Sequence, residues 1–229
     1  AMDPQQRVLL EVGWEAFENT GQLSRDLVGS STGVFVGICG NDYLQEIMAS
    51  GDFARIDDYA GTGNTHSVAA GRLAYVWGLE GPTLAVDTAC SSSLVAVHLA
   101  VQSLRMRECD LALAGGVTLH LTPHSSVYFS QIGAMAPDGR RKAFDASANG
   151  YGRGEGCGML VLKRLEQALE DGDSIRGVLR GSAMNQDGRS GGLTAPSGAA
   201  QERVISAALS DAAIDPLSVG FVEAHGTGT

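Results

Sequence analysis

Hydrophobic residues follow helical spacing at the start of the chain and strand spacing soon afterwards. Asp3 and Pro4 form a helix start, apolar positions recur with helical spacing over 9–17, and Gly21 is a stop signal. The short apolar run TGVFVGI, residues 32–38, is typical of a buried strand. The opening segment therefore predicts a helix followed by a core strand.

The middle of the chain predicts a strand, a helix and a second strand in succession. A helix over roughly residues 67–77, ended by Gly78, precedes the strand PTLAVD at 82–87. The segment 94–104 is apolar almost all round, which indicates a helix buried on most sides, and DLALAGGV at 110–117 returns as a strand. We expect this βαβ unit to be parallel and right-handed.

A long irregular stretch, residues 119–157, is rich in Gly, Ser and Pro. Loops of this length inside a compact domain are usually functional. Strands and helices then alternate again, which suggests two similar α/β halves. The predicted elements are the strand 158–164, the helix 165–171, the strand 174–184, a helix around 199–213 and the strand 219–224.

Composition supports a globular α/β protein and argues against one class of partner. The chain has 229 residues, of which 44% are hydrophobic and 18% charged, so it can bury a sizeable core. Its net charge of −10 argues against nucleic acid as a main partner, because binding phosphates needs a basic face. The small basic groups at Arg105/Arg107 and 140–142 are solvated surface or docking points for an acidic partner.

Four widely spaced cysteines indicate a reducing compartment. Cys39, Cys90, Cys109 and Cys157 form no CxxC pair, and no HExxH motif is present, so neither a disulfide framework nor a metal site is expected. No signal peptide or apolar run of membrane length appears, which predicts a cytoplasmic protein with no membrane partner. The chain opens directly at a helix start and stops in the glycine loop HGTGT, so we expect an internal fragment.

The candidate nucleophile is Cys90, in the stretch VDTACSSSLVAVHLAV at 86–101. It lies where a predicted strand ends and a predicted helix begins, and the unpaired N–H groups and helix dipole there favour a thiolate. Small neighbours, Ala89 and the serines 91–93, let a substrate approach closely. Hydrolases place a serine at the same kind of corner. On this stretch alone, a buried structural cysteine fits as well as a nucleophile does.

The candidate base or hydrogen-bond donor is His225, which follows the predicted strand GFVEA and opens HGTGT. A histidine at a strand end, in a loop of small residues, can point into a cleft and act near neutral pH. A surface loop histidine is the alternative, and any pairing with Cys90 has to come from the fold. The histidines that lie in no comparable setting are His66, His98, His120 and His124.

Two glycine-containing stretches match better-known motifs only in part. GRSGG at 188–192 fits the GxSxG pattern of serine hydrolases, but the preceding NQD breaks the strand and no buried helix follows directly. GYGRGEG misses GxGxxG in every frame, and no P-loop is present. Neither a hydrolase nor nucleotide binding is therefore supported.

Several longer motifs occur in order: VDTACSSSLVAVHLA, FDASANGY, GEGCGMLVLKRL, RGSAMNQDG, GLTAPSGAAQERV and VEAHGTGT. Together they closely resemble the β-ketoacyl synthase (ketosynthase) domains of type I modular polyketide synthases, over effectively the whole chain from DPQQR to HGTGT. The resemblance implies a thiolase-like α/β fold in α-β-α-β-α layers, incomplete at both ends, and a homodimer. Residues 1–229 then form a partial domain, with about 1–165 as the N-terminal half that carries the nucleophile and about 166–229 as the start of the C-terminal half.

The resemblance also implies a role for each candidate residue. Cys90 matches the acyl-accepting nucleophile, and His225 matches the first of two active-site histidines that assist decarboxylation and stabilise the enolate oxygen. Thr227 and Thr229 match threonines of the same loop that lie near the pantetheine arm of the substrate. No metal site and no directly bound cofactor are implied.

The implied reaction is an acyltransferase reaction, the decarboxylative Claisen condensation of an acyl chain with a malonyl-type extender in polyketide biosynthesis. Both substrates are carried on the phosphopantetheine of acyl carrier protein, so the implied partners are that carrier and the neighbouring polyketide synthase domains. Position 90 is cysteine rather than glutamine, which resembles an elongating domain. The second histidine, its neighbouring lysine and a glycine-rich loop of the family find no match in the chain, so we expect the 229-residue chain alone not to catalyse condensation.

Two other interpretations remain open. One is another thiolase-fold condensing enzyme, either a fatty acid synthase ketosynthase or a thiolase, although the NQDG and GLTAP segments look more like the polyketide group. The other is a catalytically silent carrier-docking domain, against which the intact Cys90 and His225 speak.

Overall fold

The computed structural model describes residues 2–22 and 24–229, and the chain divides into two compact units. The first unit consists of Ala1–Arg164 together with Ala224–Thr229, and the second consists of Leu165–Glu223. The helices of the first unit are α1 (Pro4–Asn19), α2 (Ser24–Leu27), α3 (Asp42–Ala49), α4 (His66–Trp77), α5 (Ser92–Arg105) and α6 (His124–Gln131). Its strands are β1 (Thr32–Gly37), β2 (Thr83–Val86), β3 (Leu111–Thr118) and β4 (Gly156–Lys163). The second unit contains α7 (Leu165–Glu170) and α8 (Gly198–Ala212).

The four strands of the first unit form one mixed sheet in the order β2-β1-β3-β4. The strand β1 pairs in parallel with both β2 and β3, whereas β4 runs antiparallel to β3. The predicted βαβ unit is therefore confirmed in its parallel direction, and β1 lies between its two strands. Because β1 is central, all six of its residues are buried.

Helices cover both faces of this sheet at β1 and β3. One face packs against α1 and α4 through Val34, Val36 and Leu113. The opposite face packs against α5 through Phe35 and Ala112. Successive side chains of a strand point to opposite faces, so a continuous apolar run such as 32–38 fills two cores at once.

Local signals set the ends of α1 and α4 as the sequence predicts. The Asp3 carboxylate accepts a hydrogen bond from the backbone N–H of Gln5 at 2.8 Å, and Pro4 occupies the first helical position. At the end of α4, Gly78 adopts a left-handed conformation with φ +68°, which glycine does without steric cost. Both predicted helices are confirmed with these caps.

The helix after Cys90 is covered over most of the predicted segment 94–104, where every residue except Leu94 is buried or half-buried. The residues of α5 that face β1 and β3 are buried, including Ala96 and Ala100, but Leu94 on the first turn is 75% exposed. The sheet covers one face of the helix completely, and the residues of the other face over 95–102 are half-buried. Apolar composition all round a helix predicts burial only where something packs on every side.

The stretch 119–157 is not irregular throughout. It contains the two-turn helix α6, and an isolated parallel bridge joins Met135 to Tyr151. The strand β4 also begins at Gly156, slightly earlier than predicted. The bridge joins the two ends of the loop between Met135 and Tyr151. The rest of the stretch is loop, as the sequence predicts.

In the second unit the predicted helices are confirmed as α7 and α8, but the two predicted strands are wrong. No strand is formed over 174–184 or 219–224 in the described part of the chain. Their apolar side chains are largely exposed, Phe221 by 79% and Val178 by 49%. A strand exists only with a partner that accepts and donates its backbone hydrogen bonds, and no described strand pairs with either segment.

None of the helices in the described residues combines the length and the apolar character needed to cross a bilayer.

Candidate active site

Cys90 lies on a strained turn between β2 and α5. Residues Ala89–Ser91 form a single 3₁₀ turn, and Ala89 adopts φ +55°, a conformation that residues with a side chain rarely occupy. Cys90 is exposed, and no hydrogen bond is found for its thiol within the described residues. Backbone strain of this kind persists only when surrounding contacts hold it, and it is common at active sites.

Hydrogen bonds hold the turn in this conformation. The Asp87 carboxylate accepts from the backbone N–H of Ala89 at 3.0 Å. The Ser92 hydroxyl accepts from the N–H of Thr88 at 2.8 Å and donates to the carbonyl of Ala89 at 2.7 Å. Ser91 donates to the Thr88 carbonyl at 2.9 Å. Ser92 is the first residue of α5 and is only 4% exposed, so these hydrogen bonds attach the turn to the start of that helix.

Two glycines let the start of α5 approach the sheet closely. A Cβ placed on Gly37, at the end of β1, would lie 2.6 Å from the backbone nitrogen of Ser93. A Cβ placed on Gly116 of β3 would lie 2.9 Å from the Cβ of Ser93. Neither position has room for a side chain, so the sheet and helix contact through backbone at the point that carries Cys90.

A second thiol, Cys39, contacts the turn from the loop after β1, and sequence reasoning gave it no role. Its sulfur lies 3.5 Å from the Ala89 carbonyl oxygen and 3.2 Å from the Ser92 hydroxyl oxygen. Burial raises the pKa of the Cys39 thiol, and the neighbouring Asp87 carboxylate raises it further, while the hydrogen bond with Ser92 acts in the opposite direction. Cys39 is therefore mainly protonated at neutral pH.

His66 is the other residue near the turn that sequence reasoning set aside. It begins α4, and its Nε2 lies 3.0 Å from the Gly40 carbonyl oxygen. The pKa of Asp87 is lowered, first by the hydrogen bond from the Ala89 N–H, then by the Cys39 thiol and by the charge of His66. No local motif marks Cys39 or His66, because three separate segments meet here.

The loop HGTGT is held by the stretch that follows α6. The backbone N–H of Gly150 donates to the Gly228 carbonyl at 2.9 Å, and a Cβ on Gly226 would lie 3.4 Å from that of Ala143. The hydroxyl oxygens of Thr227 and Thr229 lie 3.0 Å apart. His225 is exposed and belongs to the same compact unit as Cys90, but no hydrogen bond joins the two side chains among the described residues.

The remaining cysteines differ from Cys90 in their surroundings. Cys109 is buried, with its sulfur 3.4 Å from the Ser103 hydroxyl oxygen. Cys157, on β4, is half-buried, and burial raises its pKa to about 11. Their settings fit the interpretation of structural cysteines, which the exposed Cys90 does not.

The other sequence candidates lie in simpler settings. His98 is half-buried on α5, and His120 contacts the carbonyl of Gly154 at 2.9 Å through Nε2. The GRSGG stretch is loop, where the Ser190 hydroxyl donates to the Gly192 carbonyl at 2.8 Å. Across residues 2–22 and 24–229, no three His, Cys, Asp or Glu side chains are grouped so that they could hold a metal ion.

Two family models match the chain. The model described as Beta-ketoacyl synthase, N-terminal domain, matches residues 1–168. The model described as Beta-ketoacyl synthase, C-terminal domain, matches residues 176–229.

The chain is also similar to named polyketide synthases. It is 57% identical over its whole length to a phenolphthiocerol/phthiocerol polyketide synthase of Mycobacterium tuberculosis, of which it spans 15%. It is 59% identical to polyketide synthase GfsA of Streptomyces halstedii, of which it spans 3%.

Solved structures of ketosynthases superimpose on the whole chain. The ketosynthase from module 6 of the bacillaene synthase of Bacillus subtilis is 45% identical with a TM-score of 0.91, and the chain covers 38% of it. The oxazolomycin ketosynthase domain of Streptomyces albus is 36% identical with a TM-score of 0.92, and the chain covers 39% of it.

Proposed function

The chain belongs to the β-ketoacyl synthase family and has the thiolase-like α/β fold of ketosynthases, and on that basis we propose that the protein carrying it performs decarboxylative Claisen condensation in polyketide biosynthesis. One observation carries the proposal: an exposed cysteine, Cys90, sits on a strained turn that hydrogen bonds and two glycines hold in place. The names of the matched relatives support polyketide synthesis over fatty acid synthesis or a thiolase reaction.

In the first step of the proposed reaction, the Cys90 thiolate attacks the thioester carbonyl of an acyl chain on the phosphopantetheine of acyl carrier protein. The pantetheine thiolate leaves and takes up a proton, and the acyl chain remains as a thioester on Cys90. An exposed sulfur suits this step because a bulky carrier-bound substrate has to reach it. The N–H groups at the start of α5 are suited to stabilise the developing oxyanion.

In the second step the malonyl-type extender, bound to its carrier, loses carbon dioxide and forms an enolate. The enolate carbon attacks the acyl–Cys90 carbonyl, a carbon–carbon bond forms, and the Cys90 thiolate leaves. The product is a β-ketoacyl chain on the carrier protein. We assign His225 to this step, where its imidazole stabilises the enolate oxygen. Its exposed position, in a loop held by the hydrogen bond from Gly150 to Gly228, supports that role.

Replacing His225 with alanine should separate the two steps. Acylation of Cys90 is expected to stay within about twofold of the wild type, while condensation falls by roughly 10²- to 10³-fold, the usual cost of one oxyanion donor. The two rates are measured separately, as acylation of the cysteine by a carrier-bound acyl chain and as β-ketoacyl product after malonyl carrier is added.

His124→Ala is the matched control, because His124 is also exposed but lies on α6 outside the loop. It should leave both rates unchanged. An equal fall of both rates in the His225 variant would contradict the assignment to the second step.

Thr227 and Thr229 are proposed to bind the pantetheine arm. Their hydroxyl groups already contact each other at 3.0 Å, and Thr227 is half-buried, so a substrate meets oriented groups. Replacing Thr227 with valine should therefore raise the KM for the carrier-bound substrate and leave kcat little changed. The condensation assay measures both constants.

The proposed partners are acyl carrier protein, the neighbouring polyketide synthase domains and a second copy of the chain. The homodimer is supported by β2, which is an edge strand paired only with β1 among the described strands, and by Leu84 on it, which is 45% exposed. Sedimentation velocity of the intact protein checks this, and a monomeric mass at micromolar concentration would contradict it.

We propose a nucleophile-bearing half over about 1–165 and a second half over about 166–229; the boundary between the two compact units near residue 165 supports the division, although Ala224–Thr229 belong to the first unit. The proposed cytoplasmic location is supported by the four widely spaced cysteines, which form no CxxC pair. Inactivity of the isolated 229-residue chain stays a prediction, and chain elongation by that purified polypeptide would contradict it.

The rival function is a catalytically silent carrier-docking domain. It predicts that Cys90 is never acylated, whereas the proposed enzyme forms a stable acyl–Cys90 thioester in the absence of extender. The exposed position of Cys90 favours the enzyme.

A further inference from the structure

Cys39 and Cys90 bring two thiols to one turn, although 51 positions of sequence separate them. The strands β1 and β2 are parallel neighbours, and the N–H of Ile38 donates to the Val86 carbonyl at 3.0 Å. The loops that follow the two strands therefore leave the same edge of the sheet side by side. Cys39 is on the first of these loops and Cys90 on the second.

The Cys39 sulfur lies beside the peptide group that leads into Cys90, and the two thiols are near enough to influence each other electrostatically. The Cys39 sulfur lies 3.5 Å from the carbonyl oxygen of Ala89, the residue directly before Cys90. Standard peptide dimensions then place the Cys90 Cα within roughly 6 Å of that sulfur. A disulfide needs its two Cα atoms about 4.4–6.8 Å apart and its sulfurs about 2.05 Å apart, so forming the bond requires both side chains to rotate and the two loops to adjust.

Both thiols are also accessible, and their surroundings differ. Cys39 and Cys90 are both exposed, whereas Cys109 is buried and Cys157 is half-buried. Cys39 has the Asp87 carboxylate beside it, and its raised pKa keeps it protonated. The Asp87 carboxylate is hydrogen-bonded to the Cys39 thiol and so is placed to accept its proton when the sulfur attacks a neighbouring sulfenic acid, which is what a resolving cysteine requires.

We propose that Cys39 is the resolving thiol of a reversible disulfide with Cys90, which forms when a hydroperoxide oxidises Cys90. The disulfide goes beyond the proposed condensation, although its effect on acyl transfer rests on that function. Formation of the bond blocks acyl loading and protects Cys90 from irreversible oxidation. Reduction by a thiol restores the free nucleophile.

The disulfide forms in two steps. The Cys90 thiolate attacks one oxygen of hydrogen peroxide, which gives the sulfenic acid and a hydroxide ion that takes up a proton. The Cys39 sulfur then attacks the sulfenic sulfur, and the S–O bond breaks as the S–S bond forms. The hydroxide that leaves combines with the Cys39 proton as water. Two thiols lose two electrons in all, and one peroxide becomes two waters.

Peptide mapping tests the bond directly, because trypsin separates the four cysteines. Cleavage at arginine and lysine gives peptides 26–55 with Cys39, 73–105 with Cys90, 108–140 with Cys109 and 154–163 with Cys157. The intact protein is treated with about one equivalent of hydrogen peroxide, free thiols are blocked with N-ethylmaleimide, and the digest is analysed by mass spectrometry. We expect peptide 26–55 linked to peptide 73–105, and dithiothreitol should release the link.

The second test uses the variant Cys39→Ser, which removes the thiol but keeps a hydrogen-bonding group beside Ser92. In this test both proteins are treated with an excess of hydrogen peroxide, on the order of ten equivalents, because each step from sulfenic to sulfinic to sulfonic acid consumes a further peroxide. Cys90 of the variant should reach the sulfinic and sulfonic acids, and dithiothreitol should then restore little of its thiol, against nearly full restoration in the wild type. Cys157→Ala is the matched control and should behave as the wild type, because Cys157 is half-buried on β4.

Two outcomes overturn the proposal: irreversible oxidation of Cys90 at the same rate with and without Cys39, or a disulfide that joins Cys90 to any other cysteine. The proposed function fails separately. A linked peptide in a protein whose reduced form never accepts an acyl chain would leave the disulfide standing and remove the condensation.

Discussion

Replacing Cys90 with alanine abolishes formation of an acyl–enzyme, because no sulfur remains on the turn to carry the thioester. Loading falls to background, and chain elongation falls by on the order of 10⁴-fold or more, as expected when a covalent nucleophile is removed. The measurement is incubation with an acyl thioester of pantetheine or of its carrier protein, followed by mass spectrometry of the tryptic peptide 73–105. The acyl mass appears on this peptide in the wild type and is absent in the variant.

Cys157→Ala is the control for loss of a thiol elsewhere. Cys157 lies half-buried on β4, and its pKa of about 11 leaves little thiolate at neutral pH. The control should therefore load normally at Cys90. Unchanged loading in Cys90→Ala would show that another residue is the nucleophile, and an unacylated wild type would favour the carrier-docking alternative.

Gly37→Ala should damage the site without changing any reactive group. The added Cβ would lie 2.6 Å from the Ser93 nitrogen and 2.7 Å from the Ser92 carbonyl carbon, which are backbone atoms and cannot rotate away. The first turn of α5 has to move off the sheet, and Ser92 carries the hydrogen bonds that hold Ala89 in its strained conformation. We expect a loss of about 1–3 kcal/mol in the free energy of unfolding from overpacking.

The same variant should load Cys90 more slowly, by roughly 10²-fold if the turn moves by about 1 Å. Urea denaturation gives the stability, and acylation of peptide 73–105 under conditions where the variant is fully folded gives the rate. The two measurements separate misplacement of the nucleophile from unfolding.

Gly71→Ala is the matched control for this change. Gly71 lies within α4, and a Cβ there meets nothing within 4 Å. Alanine has the higher helix propensity, so the free energy of unfolding should stay constant or rise by up to about 1 kcal/mol, with loading unchanged. If Gly37→Ala is tolerated as well as Gly71→Ala, the close approach of α5 to the sheet is not what positions Cys90.

Elements with strong local signals were predictable from sequence. Asp3 with Pro4 begins α1, and Gly78 ends α4, because capping depends on residues adjacent in the chain. The run 32–38 became the central strand β1, since a strand buried on both faces is apolar at every position. The turn that bears Cys90 was also predictable, as the junction of an apolar strand with an apolar helix.

The failures occurred where a non-local partner decides the structure. Segments 174–184 and 219–224 have the composition of strands, but a strand needs a hydrogen-bonding neighbour, and none is present among the described strands. The helix α5 is apolar all round, yet Leu94 is exposed because only one face contacts the sheet. Composition shows which residues can be buried, and the fold decides which of them are covered.

By itself the sequence determined the βαβ arrangement, the position of Cys90 at its turn, and the family motifs that point to condensation. Only the tertiary structure brought Cys39 and His66 beside Asp87 and held HGTGT against the loop after α6. It also showed that Gly37 leaves room for the backbone of α5. The physical reason is the range of the interactions: caps and periodicity act between residues a few positions apart, whereas the parallel pairing of β1 and β2 brings distant loops to one edge of the sheet.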